Sequence, residues 1–162
     1  MSDAFTPPNL PRLLASVACD DVAFSERDGR ISMQRIFFDV GATAFPANLE
    51  RLAVVNIWTG GEGAYQTGAA LVSPDGVEIS RGELDLEARP DRITNIHLLN
   101  LDNVVLPKPG VYEVKVFLQG AEVHAFDFLV ADISGLGERE LEPSGLFAEL
   151  LAEAVEEEAS DD

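Results

Sequence analysis

The stretch VACDDVAFSERDGR, residues 17 to 30, sets two aspartates side by side directly after an apolar run. Paired carboxylates can share a proton in acid–base catalysis or hold a divalent cation, provided that their oxygens converge. Adjacent residues of an extended chain point to opposite faces, so Asp20 and Asp21 do not converge unaided. A calcium loop needs about 6–8 oxygens on a suitably folded segment, and no spaced run of acids surrounds this pair. The expected role is structural: an aspartate at the corner of a turn, accepting its own downstream backbone N–H.

The other candidates for chemistry are few. His97 and His124 are the only histidines, which excludes a three-histidine metal centre. Both sit in strand-like stretches, without the i, i+4 spacing that sets two ligands on one helical face. Cys19 is the only cysteine, so no intramolecular disulfide forms. It continues the face of Leu13, Ala15 and Val17 and reads as core. The run GGEG, residues 60 to 63, fails as a phosphate loop because Glu62 would sit among the amides meant to hold an anion. No GK[ST] follows, and a strand comes next, so a glycine-rich corner is expected there, flanked by Trp58 and Tyr65. No serine lies in a G-x-S-x-G setting. On these grounds no catalytic residue, no metal ligand and no cofactor is assigned.

The elements that must position these residues are short strands. RLLASVAC and VAFSE precede the turn RDGR, and ISMQRIFFDV follows it. Asp28-Gly29 predicts a hairpin, with Phe24 facing Met33 if the loop has two residues. RLAVVNIW is apolar on both alternations, as in a central strand covered on both faces or one at a sheet crossing. AYQTGAALV leads into the turn SPDG, and ELDLE alternates with Leu84 and Leu86 inward. RITNIHLL reads as a further strand. In GVYEVKVFL, Tyr112, Val114, Val116 and Leu118 line one face. Gly120 marks the turn before AEVHAFDFLV. Strands with turn signals every 8–12 residues or so predict an all-β antiparallel sandwich, immunoglobulin-like or similar, over residues 12 to 131. A flexible N-terminal arm, residues 1 to 11, precedes it. Residues 132 to 162 read as a linker, an amphipathic helix and an acidic tail. The helix carries Leu146, Phe147, Leu150, Leu151, Ala154 and Val155 on one stripe, with Pro143 suited to its first turn. That stripe either packs on its own domain or docks in a partner's groove. In the second case Leu146, Phe147, Leu150 and Leu151 are the partner-binding residues.

The 162 residues suffice for one domain with a proper core. A net charge of −18 disfavours nucleic acid and anionic membrane surfaces, and favours basic proteins or cations. More than half of the excess lies from Asp132 onward, where eleven acids meet one arginine. No stretch approaches the roughly 20 apolar residues that span a bilayer. The start MSDAFTPPNLPR has neither the basic opening nor the apolar run of a secretory signal, so a cytoplasmic location is expected.

Three stretches together resemble an uncharacterised bacterial family of domains of unknown function. They are ACDDVAFSERDGRISMQRIFFDVGATAFPANL, VVNIWTGGEGAYQTGAALVSPDG and LPKPGVYEVKVFLQGAEVHAFDFLV. The matching residues are Cys19, Asp20, Gly29, Ile31, Phe38, Phe45, Pro46, Pro74, Asp75, Gly76, Pro109, Gly110 and Tyr112. The resemblance covers about residues 12 to 131 and implies an all-β fold with no assigned activity, cofactor or catalytic residue. With no nucleophile setting, no nucleotide loop and no transition-metal cluster in the sequence, the expectation is a non-enzymatic binding or scaffold module of the bacterial cytoplasm, with a protein partner or a second copy of itself. The alternative is a small hydrolase or lyase that uses Asp20, Asp21, Asp39, His97 and His124, with or without a divalent cation.

Overall fold

A computed structural model describes residues 9–92 and 94–135. The predicted helix, with Leu146, Phe147, Leu150 and Leu151, lies outside the described residues, as do residues 1–8 of the predicted arm. Nine strands run through the described part: β1 (Arg12–Phe24), β2 (Ile31–Ile36), β3 (Asp39–Ala42), β4 (Ala47–Thr59), β5 (Gly63–Val72), β6 (Glu78–Ala88), β7 (Thr94–Leu106), β8 (Gly110–Leu118) and β9 (Ala121–Asp132). They form one sheet in the order β2-β1-β4-β7 and a second in the order β3-β9-β8-β5-β6. The protein is all-β, with two sheets.

One core joins them. Ala18, Leu52, Val54, Leu99 and Leu101 from the first sheet meet Ala69, Leu71, Tyr112, Val114 and Phe128 from the second, all buried. The alternation read in β8 holds, since Tyr112, Val114, Val116 and Leu118 are all buried. Both alternations of β4 are buried, Leu52 and Val54 in the inter-sheet core and Ala53 and Val55 in a second cluster with Cys19. In β6 the expectation holds for Leu86, which is 1% exposed, but Leu84 is 40% exposed. β6 is the outermost strand of its sheet, laddered to β5 alone among the described residues.

The connections carry their own logic. The chain passes from the first sheet to the second through glycine-rich residues 60–63, the corner expected there. It passes again at Pro107–Pro109, where the Tyr112 hydroxyl donates to the Lys108 carbonyl at 2.6 Å. That bond ties the start of β8 to the turn before it. Gln119 and Gly120 form a two-residue hairpin turn, both with positive φ (51° and 77°), which suits the twist of the flanking strands.

Three expectations are corrected. The first hairpin has a longer loop than two residues: Ser25 N–H donates to Arg30 O, and Gly29 N–H to Ser25 O. Phe24 therefore stands opposite Ile31, and Met33 opposite Val22. The sheets are not wholly antiparallel, because β3 pairs parallel with β9. The chain crosses between sheets after β2, with Phe37 edge-on to Phe128, and so reaches β9 running in its direction. Finally, the face of β1 holding Cys19 is not the inter-sheet core. A bulge between Leu13 and Ala15 inserts Leu14 and reverses the alternation. Leu13 packs inward beside Trp58, whereas Ser16 and Ala18 take the inward positions beyond the bulge. Cys19 is buried instead in a separate cluster with Ala53 and Val55, under Val22, Ile31, Met33, Ile57 and Leu98.

Candidate functional site: a polar cleft where a sheet parts

β1 changes partner at Cys19. From Arg12 to Cys19 it is laddered to β4, and from Cys19 to Phe24 to β2. β4 is paired with β7 from Ala47 to Thr59, with one position skipped at Glu50. Beyond the Cys19–Ala53 pair, the β1–β2 and β4–β7 ribbons are no longer hydrogen-bonded to each other. A cleft of about 560 Å³ lies there, with residues from all four strands on its walls. β1 contributes Asp20 and Asp21, β2 Gln34 and Arg35, β4 Leu49, Glu50 and Arg51, and β7 Asp102 and Asn103. The turn expected at Asp20 and Asp21 is thus absent. Both lie inside β1, which stays extended while it exchanges one ladder for the other.

Two backbone irregularities border this cleft. Arg35 and Asn103 have left-handed φ of 51° and 52°. Arg35 stands where the β1–β2 ladder skips the position opposite Asp20. Asn103 stands where the β4–β7 ladder skips the position opposite Glu50. Each ribbon is therefore interrupted beside the cleft. Asparagine tolerates this conformation and a β-branched residue does not. Asn103→Val is expected to lower the unfolding free energy by about 1–2 kcal/mol in urea titration. A change below a few tenths would mean that the left-handed backbone at this position is wrong.

The electrostatics are mixed, with an acidic excess. The Arg35 guanidinium pairs with Asp20. Arg51 lies between two carboxylates, with Nη1 3.7 Å from Asp21 Oδ2 and Nε 3.9 Å from Asp102 Oδ1. Glu50 has no ion-pair partner among the described residues. The Val22 N–H donates to the adjacent Asp21 Oδ1 at 2.8 Å, so a side chain engages this backbone donor of β1. These charges are largely solvated, and each such pair is worth at most about 1 kcal/mol. A smaller hollow of about 330 Å³ alongside brings Asp39 near Asp20 and Arg35.

The three aspartates singled out in the sequence therefore gather in one region, and the two histidines do not join them. His97, on β7, faces inward opposite Asn56, with Nδ1 3.3 Å from Thr67 Oγ1 of β5. His124, on β9, is opposite Val116 with its ring 6.2 Å from that of Phe126. Neither lines the cleft. Among the described residues, no three or more histidine, cysteine, aspartate or glutamate side chains form a metal-holding group. Burial pushes the Cys19 thiol pKa up, and Asp21 and Asp20 push it further, the opposite of what an activated nucleophile needs.

Burial also holds the His97 pKa below the ordinary 6.5. The unfolded chain then takes up a proton at a higher pH than the folded one. The stability contributed by neutral His97 is full above about pH 6.5 and is lost as pH falls toward the depressed folded value. Wild type is expected to lose more stability than His97→Gln between pH 7.5 and 5.5, measured by urea unfolding at each pH. Parallel profiles for the two proteins would contradict this assignment.

Glu50, Arg51, Asp102, Asn103, Gln34 and Arg35 were not legible as a site. They lie on separate strands, and no local motif joins them. The nearest signal is the break in alternation at Arg35 within ISMQRIFF and at Asn103 within LLNLDNVV.

Two sheets of an all-β domain, with a charged cleft at the open end of one, define a class without specifying a chemistry. A model of a family of unknown function (DUF6941) matches residues 14–131, and the chain belongs to that family. No curated protein matches it. Among solved structures, an immunoglobulin-like protein of Pseudomonas aeruginosa is similar at 14% identity and a TM-score of 0.34, over 75% of this chain and 96% of that one. The alkylpurine DNA glycosylase AlkC of Pseudomonas fluorescens, bound to DNA with an abasic-site analogue, is similar at 12% identity and a TM-score of 0.36. That match covers 58% of this chain and only 28% of the glycosylase.

Proposed function

We propose that the chain is a non-enzymatic, protein-binding module of the bacterial cytoplasm, built on an immunoglobulin-like sandwich, and that the parted sheet is its binding site. The observation that carries this reading is the cleft itself. All four strands of one sheet contribute polar side chains to a single hollow, beside two interrupted ladders and two strand edges without ladder partners among the described residues. Left-handed non-glycine residues cost folding energy and recur at sites that use the shape they impose. The carboxylate–histidine reading needs an imidazole beside the aspartates, and guanidiniums stand there instead. The Tyr112–Lys108 bond at the crossing between sheets supports the immunoglobulin-like description.

The test is affinity capture from bacterial lysate with wild type and with Glu50→Lys/Asp102→Lys, both first checked for the same unfolding midpoint. Proteins retained by wild type and lost by the variant support the cleft as the site. An identical retained set for both proteins refutes it.

A further inference from the structure

The structure assigns the cleft an occupant: we propose that it takes an extended peptide segment bearing lysine or arginine, added as a strand to the open edge of β1 or β4. This rests on the cleft being the binding site and specifies what fills it.

Two independent features point the same way. The first is backbone chemistry. Among the described residues, β1 from Asp20 to Phe24 is laddered on its β2 side only, and β4 from Ala47 to Leu52 on its β7 side only. The two edges face each other across the parting, and an unladdered edge presents N–H and C=O groups to any extended chain that reaches it. The Val22 N–H is held by the Asp21 carboxylate, a contact that an incoming strand would have to displace.

The second is charge. Asp20, Asp21, Glu50 and Asp102 outnumber Arg35 and Arg51 around the hollow, in a chain of net charge −18. Arg51 bridges Asp21 on one ribbon to Asp102 on the other, and so occupies the place that a ligand cation would take. In the free protein these ion pairs also shield the edges, since charged side chains discourage unwanted strand pairing. A basic strand would exchange Arg51 for its own cation and supply the missing ladder. An acidic or neutral strand would leave the carboxylate excess unmatched.

The experiment uses the full chain and a short fluorescent peptide alternating lysine with valine, followed by anisotropy. Three comparisons accompany it: a glutamate–valine peptide, a lysine–valine peptide N-methylated at alternate residues, and the protein variant Asp21→Asn/Asp102→Asn. The basic peptide should bind, and more weakly as salt rises. The double variant and the N-methylated peptide should each weaken binding about ten-fold, and the glutamate peptide should not bind. Arg51→Gln, which frees Asp21 and Asp102, should tighten binding several-fold. All the variants alter exposed side chains, and thermal unfolding verifies that each is folded. Equal affinity of the N-methylated peptide would reduce the interaction to charge attraction and overturn strand addition. Equal affinity of the double variant, or no binding of the basic peptide at all, would overturn the assignment of the occupant. In either event, partners captured by wild type and lost by Glu50→Lys/Asp102→Lys would leave the cleft as the binding site, filled by something else.

Discussion

Phe128→Ala is expected to cost about 3–5 kcal/mol, measured as a fall in unfolding free energy from urea titration. Phe128 is fully buried on β9, opposite Tyr112 of β8, within the main core. Its ring meets that of Phe37 edge-on, with centroids 5.6 Å apart and planes at 65°. Truncation removes the transfer free energy of the ring and leaves a hole that the close-packed sheets fill only in part. It also removes the contact that anchors the crossing from β2 to β3. A domain of this size has about 5–15 kcal/mol in total, so the variant keeps a small margin or none. Phe128→Leu, which retains most of the volume, should lose much less. A loss under 1 kcal/mol for Phe128→Ala would mean that the two sheets do not meet where the fold places them.

Gly110→Ala is the second large effect, at about 2–4 kcal/mol. Gly110 opens β8 at φ 146°, a backbone region closed to side chains of L-residues. A Cβ added there would stand 2.7 Å from Cγ and 3.3 Å from Cβ of Pro74, a ring that cannot swing aside as a flexible chain end would. The two costs can be separated. Pro74→Ala removes the overlap and leaves the backbone cost, so the Pro74→Ala/Gly110→Ala double variant should recover part of the loss. Additive losses in that cycle would show that the two residues do not touch. The Pro-Gly-x-Tyr run thus acts as a unit: Gly110 makes the turn, and Tyr112 fastens it to the Lys108 carbonyl.

Much of the architecture follows from local chemistry. Apolar residues at every second position of β8 admit a strand with one buried face and no helix. The double alternation of β4 requires cover on both faces, which the second sheet gives Leu52 and Val54 and the Cys19 cluster gives Ala53 and Val55. Ser73 to Val77 close the turn that Pro74 and Gly76 predict, with Ser73 N–H bonded to Val77 O at 2.8 Å. Where the reading of β1 failed, the cause was one residue. Leu14, extra at the bulge, reverses which side chains face inward, so Cys19 and Ala18 exchange the roles that strict alternation assigns them. Nothing in the residue types of RLLASVAC marks that bulge.

The amino-acid sequence by itself determined the all-β character, most of the turns, the acidic balance and the absence of any familiar catalytic motif, because each depends on neighbours a few residues apart. It did not show that RLLASVAC and VAFSE form one strand or that ISMQRIFFDV is divided between two sheets. Tertiary structure decided which ladder each half of β1 joins, the parallel pairing of β3 with β9, and the meeting of Asp20, Asp21, Glu50 and Asp102 around Arg35 and Arg51. Those outcomes depend on competition among strand edges far apart in the chain, and on left-handed backbone at Arg35 and Asn103 that the sequence marks only by a break in alternation.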